Sequence, residues 1–190
     1  MGAGVIPFAV HNKRVYFLFQ KVFKGRKSGY LCDFGGGVNK GESYQQAAAR
    51  EFIEETETMF FAKSIEDIKA AKKTPARIAR QLAIMTRLFN NSLQQHPDWC
   101  CWRDPGSKIP PKDWKTFFIR IDYQDINIIN QEWKLDDGPQ TRFSKRRELF
   151  WIDADRLLFI YENHPEKLWK RVRQLVKAPL IIQTIKQENK

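Results

Sequence analysis

Two stretches near the start of the chain are dense in apolar side chains. Gly4 to Val10 is almost wholly apolar, with Pro7 inside it, and reads as a strand with a sheet edge or a bulge at the proline. Arg14 to Phe23 is rich in aromatic and β-branched residues and reads as a second strand. His11-Asn12-Lys13 between them is a turn, so the two form a hairpin. The pattern then changes period. Ser43 is placed to cap a helix, Gln46 three residues later completes a capping box, and Ala47, Ala48 and Ala49 follow as strong helix formers. Ser64 to Lys73 carries a second capping signature, Ser64 with Asp67. Thr74-Pro75 breaks the chain with proline at a favoured first-turn position, and from Ala76 to Gln95 the residues Ile78, Leu82, Met85 and Phe89 recur at helical spacing.

Alternation returns at Trp114 to Tyr123, a strand with Phe117, Ile119 and Ile121 on one face, and Asp125 to Asn130 is read as continuing the sheet. Gln131 to Arg147 is polar, with a turn at Asp136-Asp137-Gly138-Pro139 and a basic cluster of Arg142, Lys145, Arg146 and Arg147. Glu148 to Ile152 is the last strand, and a helix starts at Asp153. Glu166 to Lys177 reads as a helix with Leu168, Val172 and Leu175 inward and Lys167, Lys170, Arg171 and Arg173 largely outward. Pro179 interrupts it before Leu180 to Lys186 resumes. With no repeat and no low-complexity tract, residues 1–190 read as a single α/β domain.

Composition changes this picture at one point. Apolar content of 42% and charged content of 29% are ordinary, but the net charge is +11. A basic surface attracts polyanions: nucleotides, RNA or an acidic surface. Three cysteines, two of them adjacent, make a poor disulfide framework, so reduced thiols and a cytoplasmic location are expected. No apolar run approaches a membrane span, and no signal peptide is expected at the N-terminus.

The chemistry concentrates in one stretch. Glu51, Glu54 and Glu55 stand at i, i+3 and i+4, which puts three carboxylates on one face of a helix. They repel one another unless a cation lies among them, and clustered hard oxygen donors suit Mg²⁺ or Mn²⁺. Gly35-Gly36-Gly37, just before the helix, allows a sharp bend with exposed backbone polar groups. Arg50 is suited to hold the glutamates and Glu42 by charge-assisted bonds. The basic loop Lys24 to Gly29, with Arg26 and Lys27, runs into Tyr30. It reads either as a contact for substrate phosphates or as a plain exposed connection.

These residues resemble the Nudix hydrolase box, G-x5-E-x7-R-E-U-x-E-E-x-G-U with U bulky and apolar. Gly36, Glu42, Arg50, Glu51, Phe52, Glu54 and Glu55 fall in register. Tyr30 to Gly36 is similar to the strand that precedes the box, with Phe34 where proline is usual. The box's closing glycine is replaced by Glu57 and its last apolar position by Thr58. The glycine normally leaves the helix in a left-handed conformation, so a different exit, such as a longer helix, is expected here. The resemblance implies a Nudix-type α/β/α sandwich with a mixed sheet, in which residues 60–112 form a mainly helical insertion.

The resemblance further implies cleavage of a phosphoanhydride bond in a nucleoside diphosphate linked to another group. Glu51 and Glu55 would be direct Mg²⁺ or Mn²⁺ ligands, with Glu54 close by and the Gly36 carbonyl completing the sphere. The general base is expected at Glu54, then Glu148, with Glu132 or Asp137 behind them. Arg26, Lys27 and Tyr30 are the candidate substrate contacts. A catalytically weak nucleotide- or RNA-binding module and an RNA-cap-processing enzyme are the competing readings, and a homodimer built on the extra helices is compatible with either.

Overall fold

The computed structural model describes residues 1–104, 113–135 and 146–189. The turn at Asp136 to Pro139, Asp137 as a candidate base, and Arg142 and Lys145 lie outside them, as does most of the proline-rich loop after Asp104. Strands β1 (Gly2–His11) and β2 (Arg14–Val22) form the expected hairpin, with Phe8 opposite Phe17 and His11 opposite Arg14. Asn12 and Lys13 take φ of 47° and 62°, the left-handed pair of a two-residue hairpin turn.

Four more strands complete a mixed sheet: β3 (Phe34–Gly37), β4 (Cys100–Trp102), β5 (Trp114–Arg120) and β6 (Arg147–Asp153). The order is β4-β5-β1-β2-β6, with β3 also on β1, and only β1 and β5 run parallel. Thus β1 is central, which corrects the expectation of an edge or bulge at Pro7. Gly2 to Val5 pair with β3 and Phe8 to His11 with β2, so Ile6 and Pro7 fall between two partner strands. The Phe8 carbonyl accepts from Ile121 on the β5 side. The backbone of Pro7 therefore faces the gap, where a missing N–H breaks no ladder bond.

Alternation along the strands feeds two cores. Ala3, Val5, Leu18, Phe117, Ile119 and Leu149 face one side, covered by α1 (Tyr44–Glu55), α3 (Pro75–Gln95) and α4 (Asn127–Leu135). Ile6, Phe8, Phe17, Phe19 and Phe118 face the other, covered by α5 (Ala154–Asn163), α6 (Lys170–Arg173) and α7 (Ala178–Glu188). This is the expected sandwich of helices about a mixed sheet. Each buried aromatic or aliphatic side chain stabilises it by about 1.5–3 kcal/mol.

Several boundaries differ from expectation. Asp125 to Asn130 does not extend the sheet: the Asp125 carboxylate accepts from the Asn127 N–H at 2.9 Å and starts α4, which buries Ile129 and Trp133. The helix after Ser64 is a short α2 (Ile65–Lys69). Residues 60–112 carry the expected helices, α2 and α3, and in addition β4, which adds an edge strand to β5. The apolar stripe of α3 packs on the body of the domain, with Met85 and Phe89 buried. Glu166 to Lys177 is not one helix either. Leu168 is extended and bridges to Leu31, with Leu31 N–H on the Lys167 carbonyl and Trp169 N–H on the Leu31 carbonyl, both at 2.9 Å. Pro179 sits in the first turn of α7, so it opens that helix rather than interrupting one.

Candidate active site

The helix α1 starts as the sequence dictates. The Ser43 hydroxyl accepts from the Gln46 N–H and the Gln46 side chain accepts from the Ser43 N–H. Phe52 anchors the buried face, with its ring edge-on to Phe34 at 4.9 Å and to Phe60 at 5.2 Å between centroids. This packing turns Glu51, Glu54 and Glu55 toward the glycine strand β3. A Cβ on Gly36 would lie 2.2 Å from a Glu51 carboxylate oxygen, so a side chain there would push that carboxylate out of its position.

Arg50 gathers the cluster. Its Nε donates to Glu42 Oε1 at 2.8 Å, and its Nη2 donates to Glu42 Oε2 at 3.1 Å and to the Gly37 carbonyl at 2.8 Å. Its Nη1 donates to Glu51 at 2.8 Å and to Glu54 at 3.2 Å. The Arg50 bonds hold Glu42 below the usual carboxylate range. Glu51 moves the other way: burial raises its pKa first, and the nearby charges of Glu55 and Glu54 add to that, against the pull of Arg50. Glu54 is the most open, with 43% of its side chain exposed.

Glu55 is held by groups that sequence patterns did not single out. Its Oε2 accepts from Gln20 Nε2 at 2.6 Å and from the Gly35 N–H at 2.9 Å, and its Oε1 accepts from Arg147 at 3.2 Å. Arg147 also donates to the Gln20 side-chain oxygen. Both were visible as polar residues on strand faces otherwise given to the core: Gln20 shares a face with Leu18, and Arg147 with Leu149.

Glu148, between Arg147 and Leu149, points to the opposite face of the sheet from Glu55 and stands opposite Lys21. Glu132 is buried on α4. Arg26 is in an exposed turn, and Tyr30 packs edge-on against Trp169 at 5.6 Å. The structure thus brings Gly36, Arg50, Glu51, Glu54 and Glu55 together, and it does not bring Glu148 to them.

The helix exit corrects a further expectation. α1 stops at Glu55, and Glu57 and Thr58 take left-handed φ of 54° and 61° without glycine. Such conformations cost about 1–2 kcal/mol each. Neighbours from α3 and its lead-in hold them: Lys73 pairs with the buried Glu57 at 2.9 Å, and Gln81 donates to the Thr58 carbonyl at 2.6 Å. Arg77 donates to the Thr58 hydroxyl at 2.9 Å and carbonyl at 3.0 Å, and pairs with Asp67.

Among the described residues, no three His, Cys, Asp or Glu side chains converge as a ready metal site. Arginines, rather than one shared centre, take the glutamate oxygens. The donor set nevertheless fits a hard divalent cation: Glu51, Glu54 and Glu55 offer carboxylate oxygens from one helical face, and burial together with the charges of Glu55 and Glu54 pushes the pKa of Glu51 up.

The NUDIX domain family model matches residues 1–177, and the chain belongs to the Nudix family. An uncharacterised protein of Acanthamoeba polyphaga mimivirus is 42% identical over 62 residues, 31% of this chain, and the match spans only 20% of that protein's length. Similar solved structures include a C. elegans Ap4A hydrolase (12% identity, TM-score 0.48, covering 99% of this chain and 97% of that one). Others are a mutT/nudix family protein of Listeria innocua (14%, 0.46, covering 98% and 94%) and the NUDIX domain of Shewanella oneidensis NrtR with ADP ribose (9%, 0.42, covering 97% and 86%). Among the described residues, no helix is long and apolar enough to cross a membrane.

Proposed function

We propose that this protein is a metal-dependent Nudix hydrolase that splits a phosphoanhydride bond in a nucleoside diphosphate linked to another group. The observation that carries the reading is the set of three glutamates on one face of α1 beside the glycine strand β3, with Glu51 and Glu54 held by Arg50 and Glu55 by Gln20, Arg147 and the Gly35 N–H. Glu51, Glu55 and the Gly36 carbonyl would hold Mg²⁺ or Mn²⁺. Such an ion neutralises phosphate oxygens and lowers the pKa of bound water. Gln20 and Arg147 orient Glu55. Glu54, the most open carboxylate, accepts the proton of the attacking water. The net charge of +11 draws a polyphosphate toward the surface, and Arg26 and Lys27, on the basic loop after β2, would meet its phosphates.

Glu54→Gln and Glu55→Gln should each lower turnover by about 100-fold or more. Glu148→Gln, on the far face of the sheet, should leave it at the parental level. A panel of nucleotide sugars, dinucleoside polyphosphates, nucleoside triphosphates and capped RNA, assayed with Mg²⁺, identifies the substrate. Parental turnover in both box variants overturns the assignment.

One observation favours a second reading. The glutamates are locked to arginines rather than converged, which suits a module that binds nucleotides without cleaving them. Calorimetry that shows nucleotide binding with no product formed would select it.

A further inference from the structure

The segment after α5 returns to the glycine strand. Leu168 pairs with Leu31, and this places α6 beside Asp33, two residues before Gly35. Arg171 is drawn inward here, against the expectation of an outward cation. Its Nε and Nη2 donate to Asp33 Oδ1 at 3.0 and 2.8 Å, and Nη2 also reaches the Gly35 carbonyl at 3.2 Å. The guanidinium carbon lies over the Trp114 ring, 3.6 Å from its centroid. Asp33 is fully buried, and its carboxylate fills space that no side chain on Gly4 could share.

Two routes lead from this cation to Glu55. In the first, Arg171 fixes the Gly35 carbonyl while the N–H of the same residue donates to Glu55 at 2.9 Å. In the second, Arg171 fixes the Asp33 carboxylate. The Asp33 main-chain carbonyl accepts from Gln20 Nε2 at 3.1 Å, and that same nitrogen donates to Glu55 at 2.6 Å. Both routes pass through residues with no slack. A Cβ on Gly35 would lie 2.3 Å from the Ala3 carbonyl, and Gln20 is fully buried.

We infer that Arg171, acting with Asp33, is a positioning residue: it sets the backbone of Gly35 and Gly36 and, through it, the orientation of the Glu55 carboxylate. The inference rests on the hydrolase reading for what Glu55 holds, but not for how Glu55 is held. A lysine keeps the charge and could put one ammonium where Nη2 lies, but it lacks the second donor to Asp33 that Nε supplies and the guanidinium that covers Trp114, so geometry rather than charge is the requirement.

Arg171→Gln, Arg171→Lys and Asp33→Asn are compared with the parental chain by two readouts. Hydrogen–deuterium exchange of residues 33–37 is followed without ligand, and Mn²⁺ binding is titrated by electron paramagnetic resonance without substrate. Arg171→Gln and Arg171→Lys should both speed exchange and weaken Mn²⁺ binding, each by about 10- to 100-fold. In turnover assays kcat falls while KM for substrate stays near the parental value. Asp33→Asn, which keeps its shape, provides the same test if the Arg171 variants fail to fold. Parental exchange in the variants, or full rescue by lysine, overturns the inference. If the parental protein itself binds no Mn²⁺, the hydrolase reading fails, and exchange alone decides the positioning role.

Discussion

Arg50 acts on Glu42 and Glu51 together, yet the two carboxylates shift in opposite directions. Glu42 lies at the edge of the cluster, where the guanidinium bonds dominate and lower its pKa. Glu51 lies deeper, and burial with Glu55 and Glu54 nearby outweighs the same cation. The signs follow by linkage. A lowered Glu42 contributes stability above the ordinary glutamate value of about 4.3, and this is lost as pH falls through its lower folded value. Glu42→Gln should therefore be less stable than the parental chain at pH 7, and the gap should close below about pH 4. Urea midpoints measured across pH test this, and a gap that persists undiminished to pH 2 contradicts it. Glu51 has the opposite sign: its raised value means that protonation favours the folded chain as pH falls through it, and a bound cation competes with that proton.

Element by element, the capping box of α1 and the stripe of α3 were legible because each follows from local spacing. The exit of α1 was not, because its cause is tertiary. Glu57 and Thr58 adopt the left-handed conformation expected only of glycine, and the side chains that hold them come from residues 73, 77 and 81. Residues expected to be an insertion thus prop the end of α1. Arg77→Gln should cost about 1–3 kcal/mol, since it leaves the Thr58 carbonyl and Asp67 short of their shared donor. A change below a few tenths of a kcal/mol in urea unfolding would contradict that role. The C-terminal segment was misread for a related reason. Its heptad-like apolar spacing is real, and Leu168, Val172 and Leu175 are all buried, but the bridge from Leu168 to Leu31 competes with helix and wins.

For the whole molecule, most strands were readable from their apolar stretches, and the sandwich about a mixed sheet from the resemblance that the register of the box residues carries. The parts that were not readable are long-range polar contacts: Gln20 and Arg147 on Glu55, and Arg171 on Asp33. A lone polar residue in an apolar strand marks such a contact but does not say with what. These contacts join both faces of the sheet at β3, where Gly35 to Gly37 pair with β1 as a strand and not as the sharp bend expected of three glycines, so the site depends on the fold as a whole rather than on one helix. We propose that the glutamates of α1 beside β3 use a divalent cation to break a phosphoanhydride. The most direct test is product formation from a nucleoside-diphosphate-linked substrate by protein stripped with EDTA, before and after adding Mg²⁺ or Mn²⁺. No product is expected before addition and restored hydrolysis after it; equal hydrolysis in EDTA would mean that no divalent cation takes part.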